Sequence, residues 1–158
     1  REIFIGTRMG KALRFPEAKA RSMGRQARGV RGITLAKGDR VVGMEIVSKG
    51  GVIMTATEQG FGKRGRVDDY RITNRGGKGV INLKVTQKNG PVVGVRSVAG
   101  EDEIMLVTTK GQMIRLPAKD VRLIGRATQG VHLIDLHAGD RVAAFGRVEE
   151  NGNGAGEK

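Results

Sequence analysis

The stretch from Thr73 to Val80, Thr-Asn-Arg-Gly-Gly-Lys-Gly-Val, is a basic, glycine-rich loop that leads into a short segment of β-forming residues. Partial copies lie on both sides, at residues 23–30 (Met-Gly-Arg-Gln-Ala-Arg-Gly-Val) and 124–131 (Ile-Gly-Arg-Ala-Thr-Gln-Gly-Val). The glycine before the shared valine recurs after 50 and then 51 residues, at Gly29, Gly79 and Gly130. A repeat of this length is typical of propellers and other stacked repeat folds. The sequence therefore predicts three related structural units.

Each unit is predicted to form four short strands separated by turns that contain Gly, Asn or Asp. The third strands are expected at residues 30–35, 80–85 and 131–136, and the fourth at 41–47, 92–98 and 142–148. Helical signals are confined to residues 16–23 and 117–124, each with room for one turn before a glycine. Repeated four-stranded units predict an all-β, propeller-like fold in which neighbouring blades cover each other's faces.

The predicted unit boundaries are about residues 1–50, 51–101 and 102–148. Residues 149–158 consist almost entirely of Glu, Asn, Gly and Lys, with hardly any side chain to bury, and they are predicted to be a disordered tail. The chain begins at Arg1 inside a strand-like run and without an initiator methionine, so we expect it to be part of a longer protein.

The charge balance points to an anionic partner. The chain has 29 Lys and Arg against 16 Asp and Glu, a net charge of +13 with both histidines neutral. The excess is +8 in residues 1–50 and +6 in residues 51–100, whereas residues 101–158 carry −1. Nucleic acid is the first candidate for a partner of this kind, and it should lie mainly along the first two thirds of the chain.

Composition also excludes several classes of protein. The sequence has no cysteine, which excludes a disulfide framework and a thiolate metal site and is compatible with a cytoplasmic location. No apolar run approaches the roughly 18 residues of a membrane span, so no membrane partner is predicted. The five aromatic residues are scattered and mostly predicted to be core, so they offer no stacking platform for single strands, and duplex DNA is the better candidate.

Several stretches of the sequence resemble the C-terminal domain family of the DNA gyrase A subunit. They are residues 29–33 (Gly-Val-Arg-Gly-Ile), 38–42 (Gly-Asp-Arg-Val-Val), 60–64 (Gly-Phe-Gly-Lys-Arg), 75–80 (Arg-Gly-Gly-Lys-Gly-Val) and 128–131 (Thr-Gln-Gly-Val). The resemblance covers about residues 1–148 and implies a β-pinwheel. That fold has six blades in the family, so the three units here imply a partial, open ring.

The resemblance also implies a function. The family's domain bends duplex DNA around its rim, which lets an ATP-dependent type II topoisomerase introduce negative supercoils. The implied partners are DNA, the breakage domain of the parent protein and the gyrase B subunit. The family's gyrase box reads Gln-Arg/Lys-Arg-Gly-Gly-Arg/Lys-Gly, and residues 73–79 match five of its seven positions. The related domain of topoisomerase IV has a poorer box and remains a close alternative.

Basic residues in and around these loops are the candidate DNA contacts, because Lys and Arg neutralise phosphates and position a nucleic acid without reading its sequence. The candidates are Arg21, Arg25, Arg28, Arg31, Lys63, Arg64, Arg66, Arg71, Arg75, Lys78, Arg122 and Arg126. The backbone N–H groups of Gly76, Gly77 and Gly79 can also approach a phosphate closely.

Structural alternatives stay open for the same residues. Arginine recurs at three positions of every unit, and an arginine in every unit can hold neighbouring blades together through carbonyl or carboxylate groups. The three columns are Arg14, Arg64 and Arg115; Arg21, Arg71 and Arg122; and Arg25, Arg75 and Arg126. The glycines of residues 73–79 can likewise serve only a tight turn between blades.

Nothing in the sequence predicts catalysis, a metal site or a cofactor. Residues 60–65 fit the pattern GxGxxG, but an all-β repeat follows them where a dinucleotide site needs a helix. Tyr70 shares its repeat position with Ala20 and Val121, so it is predicted to be a packing residue. The resemblance places the nucleophilic tyrosine of the family in a separate breakage domain.

Two further expectations remain. A propeller-type module whose basic face docks an acidic protein is the alternative function. A three-bladed array should also expose apolar faces and strand edges at its two end blades. We therefore expect the chain to self-associate through those open edges or to be less stable than a closed ring.

Overall fold

The computed structural model describes residues 1–20 and 29–148, which form strands joined by turns and three single 3-10 turns. The strands are β1 (Glu2–Thr7), β2 (Lys11–Pro16), β3 (Val41–Val47), β4 (Val52–Thr57), β5 (Phe61–Arg66), β6 (Val80–Ile81), β7 (Val92–Val98), β8 (Glu103–Thr108), β9 (Met113–Pro117), β10 (Val131–His132) and β11 (Val142–Val148). The described residues contain no α-helix, and none of their helical segments is long and apolar enough to cross a membrane. The all-β prediction is confirmed.

The 3-10 turns follow the second strand of each repeat, at Glu17–Ala20, Val67–Asp69 and Ala118–Asp120. The sequence predicted the first and the third as single helical turns, and it missed the second. The predicted tail, residues 149–158, lies outside the described residues.

The strands form three antiparallel sheets, here called blades 1, 2 and 3. Their strand orders are β3-β1-β2-β6, β10-β5-β4-β7 and β11-β8-β9. The strand β7 contacts both β3 and β11 across the blades, so these three strands lie on the inside, whereas β6 and β10 lie at outer edges. The three blades therefore stack radially, as the propeller-like prediction requires.

The fourth strand of a blade comes from the next repeat, which the sequence did not predict. β6 belongs to the second repeat and pairs with β2 of the first, and β10 of the third repeat pairs with β5 of the second. The strand predicted at residues 80–85 pairs for only two residues, because the N–H groups of Asn82 and Leu83 both turn onto the Gly10 carbonyl (2.7 and 3.3 Å). The strand predicted at residues 30–35 does not form within this chain.

The first seam joins blades 1 and 2 through a buried apolar cluster. Phe4 and Val47 of blade 1 face Ile53 and Val95 of blade 2 in this cluster. Val95 sits over Gly6 and Gly43, where an added Cβ would come within 2.7 and 2.8 Å of its side chain. These glycines make the hole into which Val95 inserts, and burial of such side chains stabilises the stack by about 1.5–3 kcal/mol each.

The second seam joins blades 2 and 3 in the same way. Met54 and Val98 of blade 2 face Ile104, Leu106 and Phe145 of blade 3. Phe145 holds the repeat position of Val95, and its ring lies over Gly94 of blade 2, 3.3 Å from an added Cβ. The two seams are therefore repeats of one packing arrangement with different side chains.

Tyr70 is buried in the first seam, which confirms its prediction as a packing residue. Its ring meets Phe4 edge to face, with centroids 4.9 Å apart, and its hydroxyl donates to Oδ1 of Asn82. Asn82 Nδ2 donates in turn to Thr55 Oγ1 at 3.1 Å. Burial raises the pKa of the Tyr70 phenol above its ordinary range. The phenol therefore stays protonated and serves as a donor.

Glycine at position 79 is predicted to be required for strand exchange. Gly79 has φ +84°, and an added Cβ would lie 2.6 Å from the Ala12 carbonyl oxygen on the blade it joins. Gly38 has φ +83° with open space around it and is the matched control. We expect Gly38→Ala to lower the free energy of unfolding by about 1–2 kcal/mol, for the backbone conformation alone. Gly79→Ala should lower the free energy of unfolding by about 1–3 kcal/mol more than Gly38→Ala does, because the new Cβ clashes with β2.

Urea unfolding of the two variants and the wild type measures the difference. Equal losses in the two variants would contradict the close approach of the backbones at Gly79.

Candidate nucleic-acid interface

The basic loop, defined as residues 71–79, crosses from the first seam to the outer edge of blade 1. The N–H of Thr73 donates to the Arg14 carbonyl at 2.9 Å, so the loop starts bound to β2. Its far end continues into β6, which pairs with β2. The third repeat runs the same course over blade 2, where the N–H of Ile124 donates to the Arg64 carbonyl at 2.9 Å.

The glycines of the basic loop serve its backbone path. Gly76 has φ +87°, and its N–H donates to the Gly32 carbonyl at 2.6 Å. This N–H is therefore already engaged and is not available to a phosphate in the described conformation. Gly77 packs against the Leu13 side chain, and Gly79 permits the approach to β2. The tight-turn interpretation therefore accounts for Gly76 and Gly79.

Arg75 and Arg126 bind carbonyls of the repeat that precedes their own. Arg75 donates from Nε to the Lys19 carbonyl at 2.9 Å and from Nη1 to the Arg31 carbonyl at 3.1 Å. Arg126 repeats this with the Asp69 and Ile81 carbonyls, both at 3.0 Å. The four carbonyls occupy equivalent places in their repeats, so Arg75 and Arg126 each fasten their loop to the preceding repeat.

Arg14 and Arg64, which share another column, also donate hydrogen bonds across the seams. Arg14 is buried, and its Nη1 donates to the Tyr70 carbonyl at 2.7 Å. Arg64 donates from Nε to the carbonyl of Val121, the repeat equivalent of Tyr70, at 2.7 Å. The planar guanidinium satisfies carbonyls that would otherwise be buried without a donor. Arg64 was predicted to contact DNA, and the structure directs its Nε into the protein instead.

The two described members of the remaining arginine column face solvent. Arg71 and Arg122 are exposed, each at the start of its loop, and Lys78 is exposed at the end of the first loop. Arg31 and Arg66 are exposed as well. Of the predicted contacts within the described residues, these five are placed to meet a ligand from solvent. Arg21, Arg25 and Arg28 lie outside the described residues.

A groove of about 560 Å³ opens over the basic loop, and we call it the basic groove. Arg14, Arg71, Arg75 and Lys78 line it, together with the backbone of residues 73–80 and the apolar floor of β2. Among the described residues, no acidic side chain lines it. A groove with cations alone on its walls concentrates positive potential and attracts a polyanion.

Lys63 was predicted to contact DNA, but it is 1% exposed. Its ammonium donates to the carbonyls of Gly125 and Arg126 at 2.7 and 2.9 Å, from beneath the loop of the third repeat. Burial lowers the pKa of Lys63 to about 8, helped by the charge of Arg126 and opposed by that of Asp69. Lys63 therefore supports the loop from inside and does not form part of the exposed surface.

Lys84 is an exposed cation that the sequence analysis missed. Its backbone N–H donates to the Thr128 carbonyl at 2.8 Å, which places it beside the loop of the third repeat. That loop has Gln129 where the basic loop has Lys78, and Lys84 adds a positive charge next to it. Thr34 and Asp135 hold the same repeat position, so no recurrence in the sequence signals this lysine.

Other candidate chemistry does not assemble in the described residues. Residues 61–65 of the GxGxxG pattern lie in β5, and a single 3-10 turn follows where a dinucleotide site needs an α-helix. No group of three or more His, Cys, Asp and Glu side chains is close enough in the described ranges to hold a metal ion. Of the three consecutive acidic residues at 101–103, Asp102 accepts from the Ala99 N–H, and Glu103 pairs with Arg115.

Comparison with known proteins identifies similar sequences. A family model of the DNA gyrase C-terminal domain, described as a beta-propeller, matches residues 1–48, 51–99 and 102–149. The chain is 43% identical over 153 residues to the DNA gyrase A subunit of Chlamydia pneumoniae, covering 96% of this chain and 18% of that protein. It is 45% identical over 152 residues to the DNA gyrase A subunit of Staphylococcus aureus (strain MRSA252), covering 95% of this chain and 17% of that protein. The chain thus spans less than a fifth of the length of these relatives.

Two solved structures resemble the blades. A structure of the DNA gyrase A C-terminal domain superposes with a TM-score of 0.84 at 26% identity, covering 92% of this chain and 50% of that one. The C-terminal domain of DNA topoisomerase IV superposes with a TM-score of 0.86 at 30% identity, covering 94% and 46%. Both neighbours are about twice as long as the matched region.

Replacing Lys63 by leucine, the residue at the equivalent Leu13, is predicted to change how stability depends on pH. The pKa of Lys63 is lowered to about 8 in the folded protein. In the unfolded chain it stands near the reference value of about 10.4. Between these values the unfolded wild type binds more protons than the folded one. The wild type should therefore gain stability relative to Lys63→Leu as the pH rises through this window, and the difference should be constant below it.

Urea unfolding of both proteins at several pH values across the window gives the difference directly. The other lysines titrate in both proteins and cancel. A difference that stays constant throughout would contradict the lowered pKa of Lys63.

Proposed function

The chain belongs to the DNA gyrase C-terminal domain family, and on this premise we propose that it binds duplex DNA along its outer rim. The observation that carries the proposal is the segregation of its cations. In the basic loop, Arg75 donates to a carbonyl of the neighbouring blade. Arg71 and Lys78 instead face solvent at the basic groove, whose described lining includes no acidic residue. Arg122 and Lys84 repeat this exposed pair one blade further on.

The rim suits a phosphate backbone more than base edges. Loops anchored at both ends hold their cations in fixed positions, and such cations position DNA while carrying little sequence information. If roughly 5 phosphates are neutralised, log K should fall with log salt at a slope of about −4 to −5. Sequence preference should then follow how easily the DNA bends around the rim.

Duplex DNA fits better than single strands because the aromatic rings are not accessible. Phe4, Phe15, Tyr70 and Phe145 are buried. Phe61 is half-buried and packs edge to face on His132. Binding of single strands relies on exposed rings on which successive bases stack. The described rim offers cations and backbone instead.

In the parent protein, this module would wrap DNA without taking part in strand breakage. The family supports a role within the A subunit of a type II topoisomerase, in the cytoplasm, with the breakage domain and the gyrase B subunit as partners. Tyr70 is buried in a seam and is unsuited to nucleophilic attack on DNA. The wrapped segment would then be presented for passage, which supports negative supercoiling by the ATP-driven enzyme.

Replacing Arg71 and Arg122 together by alanine is predicted to weaken binding to a short linear duplex. Each phosphate contact that is lost should reduce the magnitude of the salt slope by about 0.9, or about 2 for the pair. Arg40 and Arg141 are the matched control pair. They are also exposed arginines, but they precede β3 and β11, the inner edge strands of blades 1 and 3.

Salt-titrated fluorescence anisotropy on random-sequence duplex measures the slopes. The Arg40→Ala, Arg141→Ala protein should keep the wild-type slope. A wild-type slope near zero, with binding only to an acidic protein, would favour the alternative interaction module. An equal fall in the salt slope of the two double variants would contradict a DNA path along the rim.

A further inference from the structure

The third-repeat loop, defined as residues 122–130, lies over blade 2 in the middle of the stack. Its Ile124 N–H donates to the Arg64 carbonyl of β5 at 2.9 Å, and its Thr128 carbonyl accepts from the Lys84 N–H at 2.8 Å. These contacts come from blade 2 and the second repeat. The conformation of this loop is therefore set by neighbours on both of its sides and not by either end of the blade stack.

Two carbonyls of the third-repeat loop point into the protein. Lys63 of β5 is buried, and its ammonium donates to the carbonyls of Gly125 and Arg126 at 2.7 and 2.9 Å. Leu13 and Ile114 hold the position of Lys63 in the other two repeats. Packing of the repeat therefore does not require a lysine here, and the buried charge calls for another explanation.

The N–H groups of the same two peptide units point outward. A trans peptide bond directs its C=O and its N–H to opposite sides, and the described residues contain no cis peptide bond. The N–H groups of Arg126 and Ala127 are thus directed away from the Lys63 ammonium. Gly125 and Ala127 are exposed, so this side of the loop meets solvent. Neither N–H has a hydrogen-bond acceptor in the part of the chain that the structure describes.

The basic loop differs at the equivalent N–H. Gly76 holds the repeat position of Ala127, and its N–H donates to the Gly32 carbonyl at 2.6 Å. The carbonyl equivalent to that of Gly32 belongs to Asn82, and it accepts no hydrogen bond from Ala127 within the described ranges. Of the two loops, the third-repeat loop is the one that keeps this donor available.

This arrangement suits an anion. Successive backbone N–H groups turned to the same side form an anion-binding concavity. Each peptide dipole has its positive end at the N–H, and the Lys63 ammonium behind the two carbonyls adds a full charge to that side. Arg122 is exposed at the start of the same loop and supplies a second cation. A phosphate group, with several acceptor oxygens and a negative charge, matches these donors.

The charge of Lys63 responds to its surroundings. Burial lowers the pKa of Lys63 to about 8, and the charge of Arg126 acts in the same direction. Asp69, in the 3-10 turn after β5, opposes them. Tyr70 lies beside the same two charges, and its raised pKa keeps it protonated. An anion outside the loop would favour the charged form of Lys63.

We propose that the N–H groups of Arg126 and Ala127 form a phosphate site on the rim, with the buried Lys63 ammonium as its counter-charge. The occupant is a phosphate of the duplex backbone, so the inference rests on the proposed DNA binding. A free phosphate ion offers the same oxygen atoms, and separate titrations distinguish these two sources. Lys63 acts here as a positioning residue, because it touches the loop and not the phosphate.

Amide NMR of the wild-type protein tests the site directly. Titration with a short duplex should shift the N–H signals of Arg126 and Ala127 downfield, because each N–H gains an acceptor. Sodium phosphate, titrated separately, should shift the same two signals at higher concentration. Gly76 is the internal control, and its N–H signal should move much less with sodium phosphate because it already donates to Gly32.

The outcomes separate this site from DNA binding itself. A duplex that binds by fluorescence anisotropy without shifting either signal would overturn the site and leave DNA binding along the rim intact. Shifts with sodium phosphate alone, while the duplex binds, would overturn the assignment to a DNA phosphate. A duplex that does not bind at all would overturn the proposed function and, with it, the occupant named here.

Replacing Lys63 by leucine tests the counter-charge. At pH 6.5 the variant should bind the duplex about eightfold more weakly at 0.1 M salt, with a salt slope smaller by about 0.9, as for one lost phosphate contact. Lys110→Leu is the matched control. Lys110 also donates to a backbone carbonyl, that of Ala138 at 2.9 Å, but it lies in the turn between β8 and β9. Equal weakening by the two substitutions would overturn the role of Lys63.

Proton uptake distinguishes a counter-charge from a purely structural lysine. Calorimetric titrations with duplex, in buffers of different ionisation enthalpy, measure the protons taken up on binding. At pH 8 the wild type should take up about half a proton more than Lys63→Leu, because binding restores the charge of a half-neutral lysine. At pH 6 the difference should vanish, since Lys63 is already charged. Equal uptake by the two proteins at pH 8 would overturn the proposal.

Discussion

Guanidinium groups that bind carbonyls across a seam hold this structure together. Arg14 and Arg64 donate to carbonyls of the next repeat, and Arg75 and Arg126 donate to carbonyls of the previous repeat. An arginine stays charged at all accessible pH values and presents donors in a fixed plane, so it can satisfy several carbonyls at once. Strand exchange adds to this, because a blade that takes its outer strand from the next repeat cannot be completed alone. Folding and stacking of the blades are therefore one process.

This arrangement explains why residues of one type have two roles within a few positions of each other. In the basic loop, Arg75 fixes the backbone to the neighbouring blade, and that anchoring places Arg71 and Lys78 on the rim. Lys63 supports the next loop from below through the Gly125 and Arg126 carbonyls. A loop held in this way loses little conformational freedom when it binds, which favours contact with a rigid polyanion. Some cations of the chain therefore bind other parts of the protein, and others are exposed on the rim.

The sequence was sufficient to predict the repeat length, the all-β class and the propeller-like stacking, because hydrophobic alternation and turn residues recur in every repeat. It was also sufficient for Tyr70, whose repeat equivalents are apolar. It could not reveal the strand exchange, since periodicity reports which face of a strand is buried and not which strand lies beside it. The arginine columns illustrate a further limit. Recurrence in every repeat signals a role in the repeat itself, but the bonds of Arg64 and Arg126 depend on where neighbouring carbonyls fall. Lys63 breaks the pattern set by Leu13 and Ile114, and its burial follows only from the position of a loop 62 residues away in sequence.

Differences between the repeats at the seams make the two seams non-interchangeable. Val95 occupies a hole made by Gly6 and Gly43, where neither glycine has room for a Cβ. At the second seam the larger ring of Phe145 lies over Gly94 at a looser distance. Exchanging the two inserting residues would overpack the first seam and leave a void in the second, and both changes destabilise a close-packed interior. The repeats share a backbone plan, yet each seam accepts one partner best. The covalent chain and the strand exchange set the order of the blades, and these side chains make each seam specific to the two blades that it joins.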